Sequence, residues 1–274
     1  MKKLSLMSLS YRDTLQSGKM SLMDFLDTAR ELRVDGVDLH TSIFPDTEAA
    51  TLRQIRMDCL KRGLNICYIG ISNNFGKPQE ELPDEVTTVK KWLDVAAEMG
   101  VPLVRIFAAW VRDDKDEEAV WARMMPCMEE IAAHAAERGV ILGLHNHNHG
   151  CVTRTGADVL RILDEIGSPY FSHILDTGQY AGSPGASGNR GKVDPNYDFY
   201  GSIEQTAPRA IHVRCKIYRI ETGREEWLDY DRIFKIIDAL DYNGYLSVVY
   251  EGQDVLSEEE AVPKAVEFLK GYLG

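Results

Sequence analysis

Eight short apolar runs, separated by amphipathic stretches, set the strongest constraint on how this chain folds. The runs fall at about 4–9, 35–40, 65–71, 103–108, 140–146, 171–176, 210–216 and 245–251. Between them apolar residues recur at helical spacing, behind recognisable start and stop signals. Ser21 heads Leu22-Met23-Asp24-Phe25-Leu26, Pro83-Asp84 opens a helix that closes at Met99-Gly100, and Glu117 runs to Arg138-Gly139. Thr155 caps Ala157 to Ile166-Gly167, and Ser257 with Glu258, Glu259 and Glu260 starts the last helix. Glu225, Glu226 and Asp229 read as the acidic start of another, where carboxylates favour the helix dipole. Strands that alternate with helices pair in parallel through right-handed crossovers. Eight such units predict an α/β fold closed into a single (β/α)8 TIM barrel over residues 1–274, with a doubly wound open sheet as the alternative.

Composition agrees. Barrels of this kind take roughly 250 residues as one domain, and the chain has 274 residues, 44% of them hydrophobic. Its five cysteines (59, 67, 127, 151, 215) are odd in number and lack CxxC spacing, which reads as reduced thiols of a cytoplasmic protein. Met1-Lys2-Lys3 before Leu4-Ser5-Leu6-Met7-Ser8-Leu9 faintly suggests a signal peptide, but serines interrupt the apolar stretch and it reads better as a first strand. A net charge of -12 argues against a nucleic-acid partner. No apolar run approaches the roughly 20 residues of a membrane span. None of this fixes the oligomeric state.

The ends of the later runs carry the chemistry. Val140 to Gly150 runs from an apolar strand into His145, His147 and His149, three of the seven histidines within five residues. Strand side chains alternate between faces, so His145 and His147 share a face with Gly143. The next runs end in Asp176-Thr177-Gly178-Gln179, in Arg214-Cys215-Lys216 and in Tyr250-Glu251-Gly252. Polar residues on the inner parity of parallel strands converge where the strands open to solvent, which is how a parallel barrel builds an active site. His40, Asn73, Asn74, Arg105, Trp110 and Gln179 also fall at or just past strand ends. They suit a polyhydroxylated ligand, though each alone also suits a loop-capping or packing role. His212, deeper in its strand, reads as a satisfied core histidine, and His134 as a structural helix residue. Tyr218 and Arg219 could meet an anionic substrate group or pin loops. The glycine-rich stretch 181–192 cannot hold a helix and reads as a lid or as an idle insertion.

The runs together resemble the xylose-isomerase-like barrel superfamily of sugar (phosphate) isomerases and epimerases, which also includes inosose dehydratases and endonuclease IV. Asp35-Gly36-Val37-Asp38-Leu39-His40 looks like its second-strand motif and Val104-Arg105-Ile106-Phe107 like the fourth. Leu142 to His147, Ile174 to Gly178, His212 to Lys216 and Tyr242 to Gly252 look like the fifth to the eighth. The resemblance implies a divalent metal held by Glu, Asp, His and Glu on strands five to eight. Carried over by position, only Asp176 survives, because His145, Arg214 and Val249 stand at the other three places. In the family's register His145, Arg214 and Val249 would share one inward layer. His147, Lys216 and Glu251 would lie one step nearer the mouth with Asp176 beside them, around one cavity.

A guanidinium has no lone pair to give and stays charged. At an effective dielectric near 20, a +1/+2 pair about 4 Å apart costs on the order of 8 kcal/mol. The expectation is therefore that no metal or other cofactor is bound, and that Arg214 contacts Asp176. In this scheme the enzyme abstracts a proton next to the carbonyl of a small sugar or keto-sugar. Glu251 or His147 is the base, Lys216 and Arg214 hold the enediolate oxygen, Asp176 orients Arg214, and His145 bonds a substrate hydroxyl. His40, Asn73, Arg105, Trp110 and Gln179 complete the binding set. Isomerisation, epimerisation and β-elimination all remain open. One alternative keeps Zn²⁺ or Mn²⁺ on His145, His147, Asp176 and Glu251; another is a sugar-binding barrel without catalysis. An endonuclease would need several metals and a basic surface.

Overall fold

In the computed structural model, which describes residues 1–111, 116–148, 150–186 and 191–274, the eight apolar runs become eight strands. These are β1 (Lys3–Met7), β2 (Gly36–His40), β3 (Asn65–Gly70), β4 (Leu103–Ile106), β5 (Ile141–His145), β6 (Phe171–Asp176), β7 (Ala210–Ile217) and β8 (Tyr245–Tyr250). They close in sequence order into a parallel (β/α)8 barrel. The helices among the described residues are α1 (Arg12–Gln16), α2 (Leu22–Glu31), α3 (Ala49–Lys61), α4 (Leu82–Met99), α5 (Glu117–Arg138), α6 (Gly156–Ile166), α7 (Phe199–Thr206), α8 (Tyr230–Asp238) and α9 (Glu258–Lys270). The chain gathers into two compact units, Met1–Ile69 with His212–Gly274, and Gly70–Ile211.

In the first unit, β1 pairs with β2 and with β8, and β8 with β7. Ser5 and Arg214 are both in register with Ser247, so these three lie at one level. Leu4, Leu6, Val37, Leu39, Val213, Cys215, Leu246 and Val248 are buried along the strands, and Phe25, Leu26, Ala261, Ala265 and Leu269 on α2 and α9. Each large apolar side chain buried this way stabilises the fold by about 1.5–3 kcal/mol against exposure. Ser21 starts α2 with a reciprocal capping box to Asp24, worth about 1 kcal/mol.

In the second unit, β5 pairs with β4 and β6. Leu93 and Ala96 of α4 and Met124, Met128 and Ile131 of α5 are buried. Gly100 and Gly139 close these helices at φ 69° and 66°, a left-handed turn that costs glycine nothing sterically. Gly143 is needed for another reason. A Cβ there would come within 2.5 Å of Ile174 Cγ1.

One expectation needs correction. The helix after β7 starts at Tyr230 with Asp229 as its cap, so Glu225 and Glu226 precede it rather than start it. Strand β5 ends at His145, which leaves His147 just past the strand end. His149 and residues 187–190 of the glycine-rich stretch lie outside the described residues. All five cysteines are buried and outside any disulfide. Among the described residues no helix is long and apolar enough to cross a membrane.

Candidate active site

In the second unit lie Asp176, His145, His147, Arg105, Trp110, Gln179 and Asn73. Asp176 ends β6 fully buried, and Asn146 fixes it there. Asn146 Nδ2 donates to the Asp176 carbonyl at 3.0 Å, and the Asp176 amide donates to Asn146 Oδ1 at 2.8 Å. Its carboxylate accepts from the Gly178 amide at 3.0 Å through Oδ1 and faces His145 Nε2 at 3.1 Å through Oδ2. A carboxylate only accepts, so the proton of this contact sits on His145 Nε2. Two residues on, the amide of His147 donates to the Thr153 carbonyl at 3.2 Å, and the Thr153 hydroxyl donates to the His145 carbonyl at 3.1 Å, which anchors the chain leaving β5.

Around these histidines lies an aromatic cluster. The Phe107 ring is 5.0 Å from His145, 5.3 Å from His147 and 4.8 Å from Trp110. The buried Arg105 guanidinium lies 4.2 Å from the Phe107 ring centre, a cation–π contact. Asn73 is buried in a clasp of two hydrogen bonds with the Phe107 backbone, 2.8 and 2.9 Å, joining the loops after β3 and β4. Asn74 accepts the amides of Gly76 and Trp110. Both asparagines therefore shape loops. Gln179 is buried just beyond Asp176.

In the first unit lie Lys216, Arg214, Glu251 and His40. Lys216 is 1% exposed near the end of β7, and its ammonium lies 2.9 Å from Glu251 Oε1. The backbone holds this pair in place: the Glu251 amide donates to the Ile217 carbonyl at 2.8 Å, and the Tyr230 hydroxyl donates to the Lys216 carbonyl at 2.7 Å. Glu251 Oε1 also lies 3.3 Å from Arg12 NH2. Two residues deeper, Arg214 is buried and donates to the Tyr68 hydroxyl, which also contacts Met7 Sδ at 3.1 Å. His40 ends β2 with Nδ1 2.8 Å from Ser42 Oγ, and its amide donates to Ser8 Oγ.

Deeper in this unit, buried Asp38 accepts hydroxyls from Ser5 at 2.8 Å and from Ser247. His212 is buried as expected but is not satisfied. Its Nε2 is 3.5 Å from Asp38 Oδ2 and has no hydrogen-bond partner among the described residues. Tyr218 and Arg219 pin loops, since Arg219 pairs with Asp254 at 3.1 Å and lies 4.1 Å from the Trp227 ring centre. His134 pairs with Asp94 on the outer helices at 2.8 Å.

Several contributors escape sequence reasoning. Asn146 sits between the noted histidines, but only the fold shows its two-point grip on β6. Tyr68 and Arg12 carry no motif, because their partners are 146 and 239 residues away. Phe107 stands in the fourth-strand motif, where an aromatic reads as core.

Over residues 26–272 the sequence matches the xylose isomerase-like TIM barrel family. The chain belongs to that family. No curated protein matches the sequence. Among solved structures it is similar to the D-psicose 3-epimerase of Clostridium cellulolyticum H10 with D-tagatose, at TM-score 0.79 and 14% identity over 99% of both chains. An L-ribulose 3-epimerase gives TM-score 0.77 at 15% identity, covering 100% of this chain and 95% of the other. The 3-keto-D-glucoside 4-epimerase of E. coli gives 0.74 at 14%, covering 99% of this chain and 100% of the other. Identities this low establish a common fold.

The metal that the xylose isomerase-like resemblance implies does not fit the residues present. Arg214 and Val249 are both buried, so neither place is left to water by a side chain turned outward. A guanidinium and an isopropyl group offer no ligand atom, and the remaining carboxylate already faces an imidazole N–H. Among the described residues no three His, Cys, Asp or Glu side chains converge as a metal requires.

Proposed function

We propose that this chain is an isomerase or epimerase of a small sugar or keto-sugar, working by proton abstraction next to a carbonyl with side-chain cations in place of a metal. The observation that carries the reading is the Lys216–Glu251 pair, a buried ammonium 2.9 Å from a partly exposed carboxylate at adjacent strand ends. Glu251 takes the proton from the carbon beside the carbonyl, and the electron pair of that C–H bond moves to the carbonyl oxygen. Lys216 donates to the resulting enediolate oxygen. Returning the proton to the former carbonyl carbon, while the hydroxyl on the deprotonated carbon passes its proton to the enediolate oxygen and becomes the new carbonyl, completes an isomerisation; if Glu251 keeps its proton and water protonates the opposite face of the deprotonated carbon, while the first oxygen regains its double bond, the outcome is an epimerisation. Arg214, held by Tyr68, supplies fixed positive charge on the same strand. The cluster of Phe107, Trp110, His145 and His147 supports a sugar ligand, because it offers aromatic faces for C–H surfaces and imidazole nitrogens for hydroxyls. That the similar structures include sugar epimerases supports the same substrate class.

The test is proton NMR in D₂O of D-psicose, D-fructose and L-ribulose incubated with protein purified under chelation. Expected is loss of the signal of the proton beside the carbonyl, insensitive to EDTA, and slowed at least about 100-fold in Glu251→Gln, the usual contribution of a general base. No exchange with any keto-sugar defeats the enzymatic reading. Exchange that stops with EDTA and returns with Mn²⁺ or Zn²⁺ defeats the metal-free mechanism.

A further inference from the structure

Arg12, the first residue of α1, reaches the same oxygen of Glu251 that Lys216 does. Its NH2 lies 3.3 Å from Glu251 Oε1, and the Lys216 ammonium lies 2.9 Å from that atom. Two cations that converge on one oxygen from different elements, α1 and β7, leave the carboxyl group little freedom to swing. A partly exposed ion pair contributes little where both side chains must first be ordered. Here the backbone has already done much of the ordering.

The Ser10 hydroxyl donates to the Val248 carbonyl at 3.0 Å and accepts the Tyr250 amide at 3.0 Å, so the turn before Arg12 is tied to β8. Beyond Arg12, the Glu258 carboxylate accepts the Asp13 amide at 2.9 Å, the Thr14 amide at 3.0 Å and the Thr14 hydroxyl at 2.6 Å. Gln253 Nε2 donates to the same carboxylate at 3.2 Å. Tyr250 stands just before Glu251 and Gln253 just after it, so the chain on both sides of Arg12 is fastened to the chain around Glu251. Ser10 and Glu258 are buried, where water competes least for such bonds. The Arg12 Nε is buried as well, so the stem is enclosed up to the guanidinium.

In the proposed reaction Lys216 has two tasks. It faces Glu251 at rest, and it donates to the enediolate oxygen as charge develops there. A base held by Lys216 alone would loosen at the moment of proton transfer. Arg12 stays on Oε1 throughout, because a guanidinium keeps its charge and this one sits on a fixed backbone. The stake is large, since a misplacement of about 1 Å can cost about 100-fold in rate.

We propose that Arg12 is a positioning residue, which holds the Glu251 carboxylate in its working orientation and acts on the reaction only through that base. This rests on the reading above for the role of Glu251, but the hold itself can be measured without turnover. The experiment is a double-mutant cycle on the whole chain with Arg12→Gln, Glu251→Gln and the two together. It is read by exchange of D-psicose, D-fructose and L-ribulose in D₂O and by calorimetric Tm. Arg12→Gln should lower kcat about tenfold with KM unchanged, Arg12→Lys should regain at least about half of that loss, and Arg12→Gln should slow the Glu251→Gln protein no further. In melting, the double variant should lose less than the sum of the two single losses. An unchanged kcat, a rise in KM alone, the same tenfold loss added to that of Glu251→Gln, no rescue by Arg12→Lys, or additive Tm losses would overturn the proposal. If the parent exchanges no keto-sugar, the isomerase reading falls and the Tm cycle alone decides whether Arg12 holds Glu251; if the parent exchanges and Arg12→Gln is as fast, this inference falls and the isomerase reading stands.

Discussion

His173 gives a test of the site's foundations. It is fully buried in β6, three residues before Asp176. Its Nδ1 lies 2.8 Å from the Leu144 carbonyl, next to His145, and its Nε2 lies 3.3 Å from the Tyr180 hydroxyl, which is 2.7 Å from Thr206 Oγ1. Burial pushes its pKa down from 6.5 to about 4, against the smaller opposing effects of the Leu144 carbonyl and Asp176. The unfolded chain therefore binds a proton near pH 6.5 that the folded chain accepts only near pH 4. Stability from the neutral ring is fully present above pH 6.5 and is lost as pH falls toward 4. Integrating between those values gives a loss of about 2 kcal/mol at pH 5, or about 4–8 °C in Tm for a chain of this size. His173→Asn keeps a donor for the Leu144 carbonyl but does not titrate. Calorimetric Tm values at pH 7.5 and 5.0 should show the parent falling further than the variant by that amount. Equal falls would refute the argument that the ring is held neutral by burial.

Glu225 should act in the opposite direction. Burial pushes its carboxyl up to about 7, against the amides of Tyr218, Arg219, Trp227 and Leu228, all of which donate to it. Its stabilising effect is complete below pH 4.5 and is lost as pH rises through 7, so Glu225→Gln should remove a decline of about 2.5 kcal/mol between pH 5 and 8 in denaturant titrations. A decline that steepens in the variant would show that the four donors outweigh burial. Because the two windows overlap with opposite signs, the parent alone can look flat from pH 4.5 to 6.5, and only the variants separate them. Gly143→Ala should cost about 1–3 kcal/mol by overpacking, because its Cβ would meet Ile174 Cγ1 at 2.5 Å and Cδ1 at 2.6 Å. An unchanged denaturation midpoint would mean that Ile174 moves aside freely.

The fold was legible because every unit repeats one local rule: an apolar run, a turn, a capped amphipathic helix. Ser21 and Thr155 head the helices their sequences promise, each through a capping box. The site was legible by residue type at strand ends, where Asp176 and His145 meet and Lys216 meets Glu251. What stayed hidden depends on the third dimension. Asn73 looked like a sugar ligand, since its role as a clasp depends on the Phe107 backbone one strand away. Glu225 looked like a helix-start acid, since nothing local shows that the chain folds back to bring four amides to one carboxylate. Arg12 carries no motif, and its contact with Glu251 forms only once β8 delivers the acid.

An arginine in place of a metal, as the proposed reading has it, would also change which substrates a barrel can hold. A divalent ion takes several oxygen ligands, so it would grip a substrate as well as polarise it. A guanidinium on a strand gives fixed charge and directional donors but no coordination sphere. Tyr68 shows how such a charge is kept in place: its oxygen accepts from Arg214, its own hydrogen is directed to Met7 Sδ at 3.1 Å, and the ring is fully buried. A cation fixed this firmly can stabilise an oxyanion at a set position, yet it cannot shift to gather a neutral polyol. In the proposed reading the grip that a metal would give has to come from side chains, and the rings of Phe107, Trp110, His145 and His147 offer flat faces and imidazole nitrogens of the kind that hold a polyol.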